Sequence, residues 1–280
     1  MIIESNFCGR MKPVYIACSM TLVVLLLAMA LPVRAQYKND TLPPITSDTL
    51  IYRPMNWNTA PAKRVFPYKS FLLPATFIIY GIVSLNNDGL ADMNEEIKEE
   101  VYTERLPRDV NIDNYLQHVP AVAVYGLNLL GIKGKNNFRD RTILLGMSEL
   151  IMGATVTVTK KISAETRPDG SDKLSFPSGH TASAFCAAEF LRQEYKDVSP
   201  WYGIVGYAVA GVTGYLRISN NKHWMSDVVA GAGVGIISTK LAYWMYPVIK
   251  RKFFKDREVN TVVLPSYSNG VWGIGMVKQF

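Results

Sequence analysis

Cysteine and histidine are both scarce in this chain of 280 residues, at three of each. So few cysteines exclude a disulfide scaffold, and a chain of this length builds a sizeable core without staples. Charge is thin as well: only 19% of residues are charged, with 30 Lys and Arg against 23 Asp and Glu. That composition excludes an acidic disordered polymer. The surplus of +7 is spread along the chain, whereas a nucleic-acid binder gathers its bases on one face, so no nucleic-acid partner is expected. The scarcity of histidine is the more useful limit. Proton transfer or imidazole attack near neutral pH must come from His118, His180 or His223.

What is abundant is apolar sequence, 49% of the total, and its distribution is informative. Arg10 and Lys12 precede an apolar run from Val14 to Leu31, followed by Val33-Arg34-Ala35 and then polar sequence from Gln36. A basic region, an apolar core and a small residue at the cut are the layout of a secretory signal over residues 1–35, cleaved after Ala35; the run is also long enough to stay as an anchor. Cys18 precedes the apolar core, which excludes a lipoprotein signal. Residues 36–70 hold Pro43, Pro44, Pro54, Pro61 and Pro67 without a sustained period and read as an irregular leader.

From Phe71 onward apolar stretches alternate with charged connectors: 71–85, 119–132, 142–159, 181–191, 202–218 and 228–249. Several are shorter than the ~20 residues of a clean membrane span, and Glu149 and Lys240 lie inside two of them, which also suits a soluble helical bundle. The Gly- and Ala-rich runs 203–214 and 228–238 favour the membrane, because small faces let helices approach closely in lipid. Connector charge gives a direction. Residues 86–118 hold nine acids and three bases and belong outside, whereas 133–141 and 250–258 each carry a net +3 and belong in the cytoplasm. Loops 160–180 and 217–227 then share the outer face. One point stays open: a cleaved signal and a full crossing by 71–85 cannot both hold if the acidic segment is outside. Either that fifteen-residue stretch does not cross, or the leader is cytoplasmic.

The two outer loops collect the polar residues. The first carries Lys160, Arg167-Pro168 and Pro177-Ser178-Gly179-His180; the second carries Arg217, His223 and Asp227. Three cations and a Ser-Gly pair opening a helix make an oxyanion site, since a helix N-terminus offers free N–H groups and Gly179 allows close approach. Phosphoryl transfer suits it, because the transition state spreads charge over three oxygens. His223 and Asp227, four residues apart, share a helix face, so the carboxylate can take one ring nitrogen and leave the other to attack. His180 is then free to protonate the departing oxygen.

Taken together, Lys160 with six residues before Arg167-Pro168, Pro177-Ser178-Gly179-His180, and Arg217 with His223 and Asp227 resemble the three-part signature of the type 2 phosphatidic acid phosphatase (PAP2) superfamily, over roughly residues 119–249. Leu216 departs from the pattern, standing where the family usually carries Ser. The resemblance implies an all-α membrane bundle of five to six apolar helices over residues 71–258, shared with haloperoxidases. It implies hydrolysis without metal or other cofactor: His223 as nucleophile, Asp227 orienting it, His180 as acid and then base, and Lys160, Arg167, Ser178, Gly179 and Arg217 holding the phosphoryl group.

The expected enzyme is a multi-pass phosphatase of a bacterial inner membrane, with its site facing the periplasm. Its substrate would be an envelope lipid: lipid A phosphate, which the signal-like start favours slightly, undecaprenyl pyrophosphate or phosphatidylglycerol phosphate. The rivals are a soluble periplasmic acid phosphatase of the same fold, a vanadate haloperoxidase, and a non-catalytic lipid-binding or transport protein. Each site residue also has a duller role. Lys160 and Arg167 could close a helix, Ser178 could be an N-cap, and His223 could pair structurally with Asp227. Lys161 competes with Lys160 by one register step. His118 has no supporting pattern. At the end of the chain, alternating residues on either side of Ser268-Asn269-Gly270 read as a β-hairpin over 259–280.

Overall fold

The computed structural model describes residues 66–103, 111–253, 261–268 and 271–278, the last two by their backbone alone. The signal-like run and nearly all of the leader lie outside the described residues. Eight α-helices are described: α1 Lys69–Ser84, α2 Asp88–Lys98 with a π-turn at Glu99–Thr103, α3 Asp113–Leu116, α4 Val119–Leu129, α5 Phe138–Ser163, α6 Gly179–Tyr195, α7 Pro200–Ser219 and α8 Met225–Phe253. The chain divides into two compact units, one ending at Ala242 and one beginning at Tyr243. In the second, β1 (Thr261–Ser268) pairs antiparallel with β2 (Val271–Lys278), Thr261 opposite Lys278.

Local chemistry sets the helix starts. Asn87 accepts from Leu90 N at 3.0 Å to open α2, Asn137 accepts from Asp140 N at 2.8 Å to open α5, and Ser199 caps α7 ahead of Pro200. Helix α5 runs for 26 residues, about 39 Å at 1.5 Å per residue, and ends where Ala164 turns left-handed at φ 47°. Helix α6 is the centre of the first unit. Eleven of its 17 residues are buried, which is why it carries polar Glu189 and Glu194 without a continuous apolar surface.

Small residues bring α8 onto α6. A Cβ added at Gly231 would lie 2.6 Å from Ser178 O, and one at Gly235 would lie 2.8 Å from Cys186 N, so both positions require glycine. Glu189, fully buried, accounts for the charge inside the last apolar stretch: Lys240 meets it at 3.0 Å, Arg192 at 2.7 Å and Gln193 at 2.8 Å, and Tyr207 Oη donates to it as well. The outward faces are apolar. Leu73 and Ile79 on α1, Leu129 on α4, Leu150 and Val158 on α5 and Ile204 on α7 are all exposed. Burying such a face in lipid relieves a cost that water imposes.

Among the described residues, α5 and α8 are long and apolar enough to cross a membrane, and α1 with α2 would make a third span if counted together. Those two helices meet at 99° across Leu85-Asn86-Asn87. Helix α1 runs against α8 in the opposite direction, with Gly81 beside Ala230 and Ser226 and Pro74 beside Gly233. It therefore climbs toward the start of α8, and Asn94 on the helix that follows lies at that same end, against Ser226.

Candidate active site

The loop α5–α6, the end of α7 and the start of α8 meet at one end of the first unit. His223, 2% exposed, stands between two kinds of neighbour. Its Nδ1 faces Asp227 Oδ2 at 3.4 Å and Ser175 Oγ at 3.5 Å; its Nε2 faces Arg167 Nη1 at 3.3 Å. The carboxylate of Asp227 is itself held, accepting from Ser175 Oγ at 2.5 Å and from Trp224 N at 2.9 Å. A backbone bond from Ser178 N to Asp227 O, 3.0 Å, joins the two signature loops without any side chain. Burial, and then the positive charges of Lys160, Arg217 and Arg167, hold the His223 pKa well below the ordinary 6.5. The ring is thus neutral near pH 7, with Nε2 turned toward Arg167.

The cations are fixed by the loop they serve. Lys160 Nζ donates to Ser175 O at 3.1 Å and to Leu174 O, whereas Lys161 is exposed. Arg167 Nε donates to Asp172 Oδ1 at 2.7 Å and its Nη1 to Lys222 O at 3.1 Å; the first of these bonds draws Asp172 below the usual carboxylate range. Burial and then the Asp227 carboxylate push Glu165 in the opposite direction. Arg217 Nη1 meets Asp113 Oδ2 at 2.6 Å. Ser178 is fully buried and its Oγ caps α6, meeting Thr181 Oγ1 at 2.9 Å and accepting from Thr181 N, so the duller reading describes its hydroxyl. An added Cβ at Gly179 would meet Val156 Cγ1 at an ordinary 3.7 Å, so packing by itself does not demand glycine there.

His180 is half-buried and bonds to neither His223 nor Asp227; its Nε2 lies 2.7 Å from Asn114 Oδ1. It does lie close enough to contribute to the electrostatics of His223. Five participants escaped the sequence reading: Ser175, Asn94, Asp113, Asn114 and Trp224. Asn94 exchanges two bonds with Ser226, at 2.9 and 3.2 Å, tying α2 to the start of α8. Beside it a cavity of about 260 Å³ is lined by Ser84, Asn94, Glu165, Trp224 and Ser226. Of the five, two had a local signal: Ser175, two residues before the Pro177-Ser178-Gly179 turn, and Trp224, directly after His223. Among the described residues, no group of three or more His, Cys, Asp or Glu side chains converges to hold a metal.

An imidazole backed by a carboxylate and faced by three cations and a helix N-terminus, on a bundle with the apolar exterior of a membrane protein, is an arrangement that suits an anion. Residues 141–251 match the family model of the PAP2 superfamily. The chain is 40% identical over 163 residues to the lipid A 1-phosphatase of Porphyromonas gingivalis, a match covering 57% of this chain and 36% of that protein. It is 26% identical over 201 residues to the phosphatidylglycerophosphatase B of Bacillus subtilis, covering 66% of this chain and 98% of that one. The crystal structure of a transmembrane PAP2-type phosphatidylglycerolphosphate phosphatase from Bacillus subtilis aligns with a TM-score of 0.46 at 21% identity, over 66% of this chain and 99% of that one. Aquifex aeolicus LpxE aligns at 0.43 and 24% identity, over 54% and 94%.

Proposed function

We propose that the chain hydrolyses the phosphate monoester or pyrophosphate of an envelope lipid through a phosphohistidine, at the periplasmic face of a bacterial inner membrane. The observation that carries this reading is the two-sided environment of His223. Its Nδ1 side faces Asp227 and Ser175 and its Nε2 side faces Arg167. Nε2 attacks phosphorus while the bond to the lipid oxygen breaks, and His180 gives that oxygen its proton. Water then attacks the phosphohistidine, His180 takes the proton of that water, and the N–P bond breaks to release inorganic phosphate. Arg167, Lys160, Arg217 and the N-terminus of α6 at Gly179 stabilise the equatorial charge in both steps.

Lipid A phosphate heads the substrate candidates, because the relative named a lipid A 1-phosphatase is 40% identical over its matched region. Phosphatidylglycerol phosphate follows, because the phosphatidylglycerophosphatase B match spans 98% of that protein. Asp113 with Arg217 and Asn94 with Ser226 hold described parts of the acidic segment at the same end as the site, and this, with the basic connector 133–141 at the other end of the first unit, supports a periplasmic site.

The test is phosphate release by the detergent-purified chain from lipid A, phosphatidylglycerol phosphate and undecaprenyl pyrophosphate, with His223→Ala alongside. Release from one of these lipids and its loss in the variant is the expected result. No release from any of them, or undiminished release by His223→Ala, overturns the reading.

A further inference from the structure

The short helix α3 touches two members of the site at once. Asp113, 1% exposed at its side chain, grips Arg217 Nη1 at 2.6 Å, and the next residue, Asn114, meets His180 Nε2 at 2.7 Å. Neither residue belongs to the signature loops, and nothing local in the sequence pairs them with those loops. Two details give the contacts a direction.

The first concerns the cation. Asp113 occupies one guanidinium nitrogen, while Arg217 Nε is buried and has no hydrogen-bond partner. Arg217 O also accepts from Lys222 N at 3.0 Å and His223 N at 3.3 Å. Fixing this arginine therefore fixes both a donor for the anion and the backbone of the attacking histidine. The second concerns the proton. An amide oxygen only accepts, so Nε2 of His180 must carry a hydrogen in both charge states of the ring. The nitrogen that gains and loses a proton is then Nδ1. Asn114 thereby selects which ring atom serves the departing oxygen.

We propose that Asp113 and Asn114 are positioning residues for phosphoryl transfer. Asp113 sets the Arg217 side of the anion cradle, and Asn114 holds His180 in the tautomer and orientation that let Nδ1 protonate the leaving group. The inference rests on the phosphatase reading above and extends it to a helix outside the signature.

The experiment compares two soluble-headed probes in detergent, hexadecyl phosphate and p-nitrophenyl phosphate. The alkoxide needs a proton to depart; nitrophenolate is stable without one. Asn114→Leu is expected to lose on the order of 10²-fold in kcat on hexadecyl phosphate, the scale of a general acid, and less than about threefold on p-nitrophenyl phosphate. Asn114→Asp keeps an acceptor, restores turnover of the alkyl phosphate and moves the alkaline limb of its pH profile upward, because a carboxylate favours the charged ring. Arg217, Asp113, Arg167 and His118 face His180 in both Asn114 variants, so their influence cancels in that comparison. Asp113→Asn is expected to weaken inhibition by inorganic phosphate about tenfold and to raise KM on both probes more than it lowers kcat. Should that variant not fold, Asp113→Glu keeps the charge, displaces it by one methylene and is expected to show the same weakening. Equal losses on both probes in Asn114→Leu, no recovery in Asn114→Asp, or unchanged phosphate inhibition in the foldable Asp113 variant would overturn the assignment. A wild-type chain inactive on both probes, or an active His223→Ala, would instead sink the phosphatase reading itself.

Discussion

The two ends of the first unit handle polar groups in opposite ways. Away from His223, Glu194 accepts from Asn136 N at 3.0 Å and from its Nδ2 at 2.6 Å. Arg141 donates to Asn128 Oδ1 and Asn136 O, and Tyr195 Oη reaches the carbonyls of Val124 and Ile132. These groups satisfy one another across four segments. Among the described residues, Asp113 Oδ1, Arg217 Nε, Asn221 Oδ1 and Asp227 Oδ1 are buried without a partner at the His223 end, against Arg141 Nε at the other. Unmet bonding capacity in a folded interior is costly, and it is retained where a substrate will use it. One end closes the bundle; the other, in the proposed reading, receives an anion.

The comparison is broken most forcefully by His223→Ala. Turnover is expected to fall by about 10³-fold or more, roughly 4 kcal/mol of transition-state stabilisation, with the melting temperature in detergent within a few degrees of wild type. Glu194→Ala is the mirror case. It strands Asn136 donors at the closed end and is expected to cost about 3 kcal/mol of stability while kcat per folded molecule holds, as checked by thermal melts beside active-site titration. Gly235→Ala drives a methyl against the α6 backbone and is expected to cost about 1–3 kcal/mol, visible as a lower melting temperature.

A finer distinction lies in pH. In the proposed mechanism His223 attacks as neutral imidazole, and its pKa is held below 6.5 by burial and by Lys160, Arg217 and Arg167. The acid limb of kcat/KM therefore lies below pH 6.5. Arg167→Ala removes a positive charge at Nε2, makes protonation easier and moves that limb upward. The smallest effect is expected of Asp172→Asn, whose half-exposed pairing with Arg167 is worth about 0–1 kcal/mol, measured as a change in KM of a few-fold at most.

The sequence disclosed those parts of the site whose members are spaced locally. His223 and Asp227 are four residues apart, Ser178 to His180 are consecutive, and the apolar stretches became helices near where periodicity placed them. Asp113 with Arg217, Asn114 with His180, Ser175 with Asp227 and Asn94 with Ser226 are separated by 104, 66, 52 and 132 residues, and no local rule connects them. The direction of α1 was hidden for a similar reason. Gly81 and Pro74 reveal it only through their neighbours on α8, while the Asn87 cap signalled the new helix but not the 99° turn before it.

The bond from Ser178 N to Asp227 O belongs to the main chain, and the contact of Gly231 with the Ser178 carbonyl depends on a missing side chain. Replacing His223 or His180 touches neither. A chemically silent version of this protein should therefore keep the spacing between its anion cradle and its nucleophile loop. It would serve as a capture reagent: immobilised and exposed to a total lipid extract, it would retain the molecules it can no longer convert, for identification by mass spectrometry.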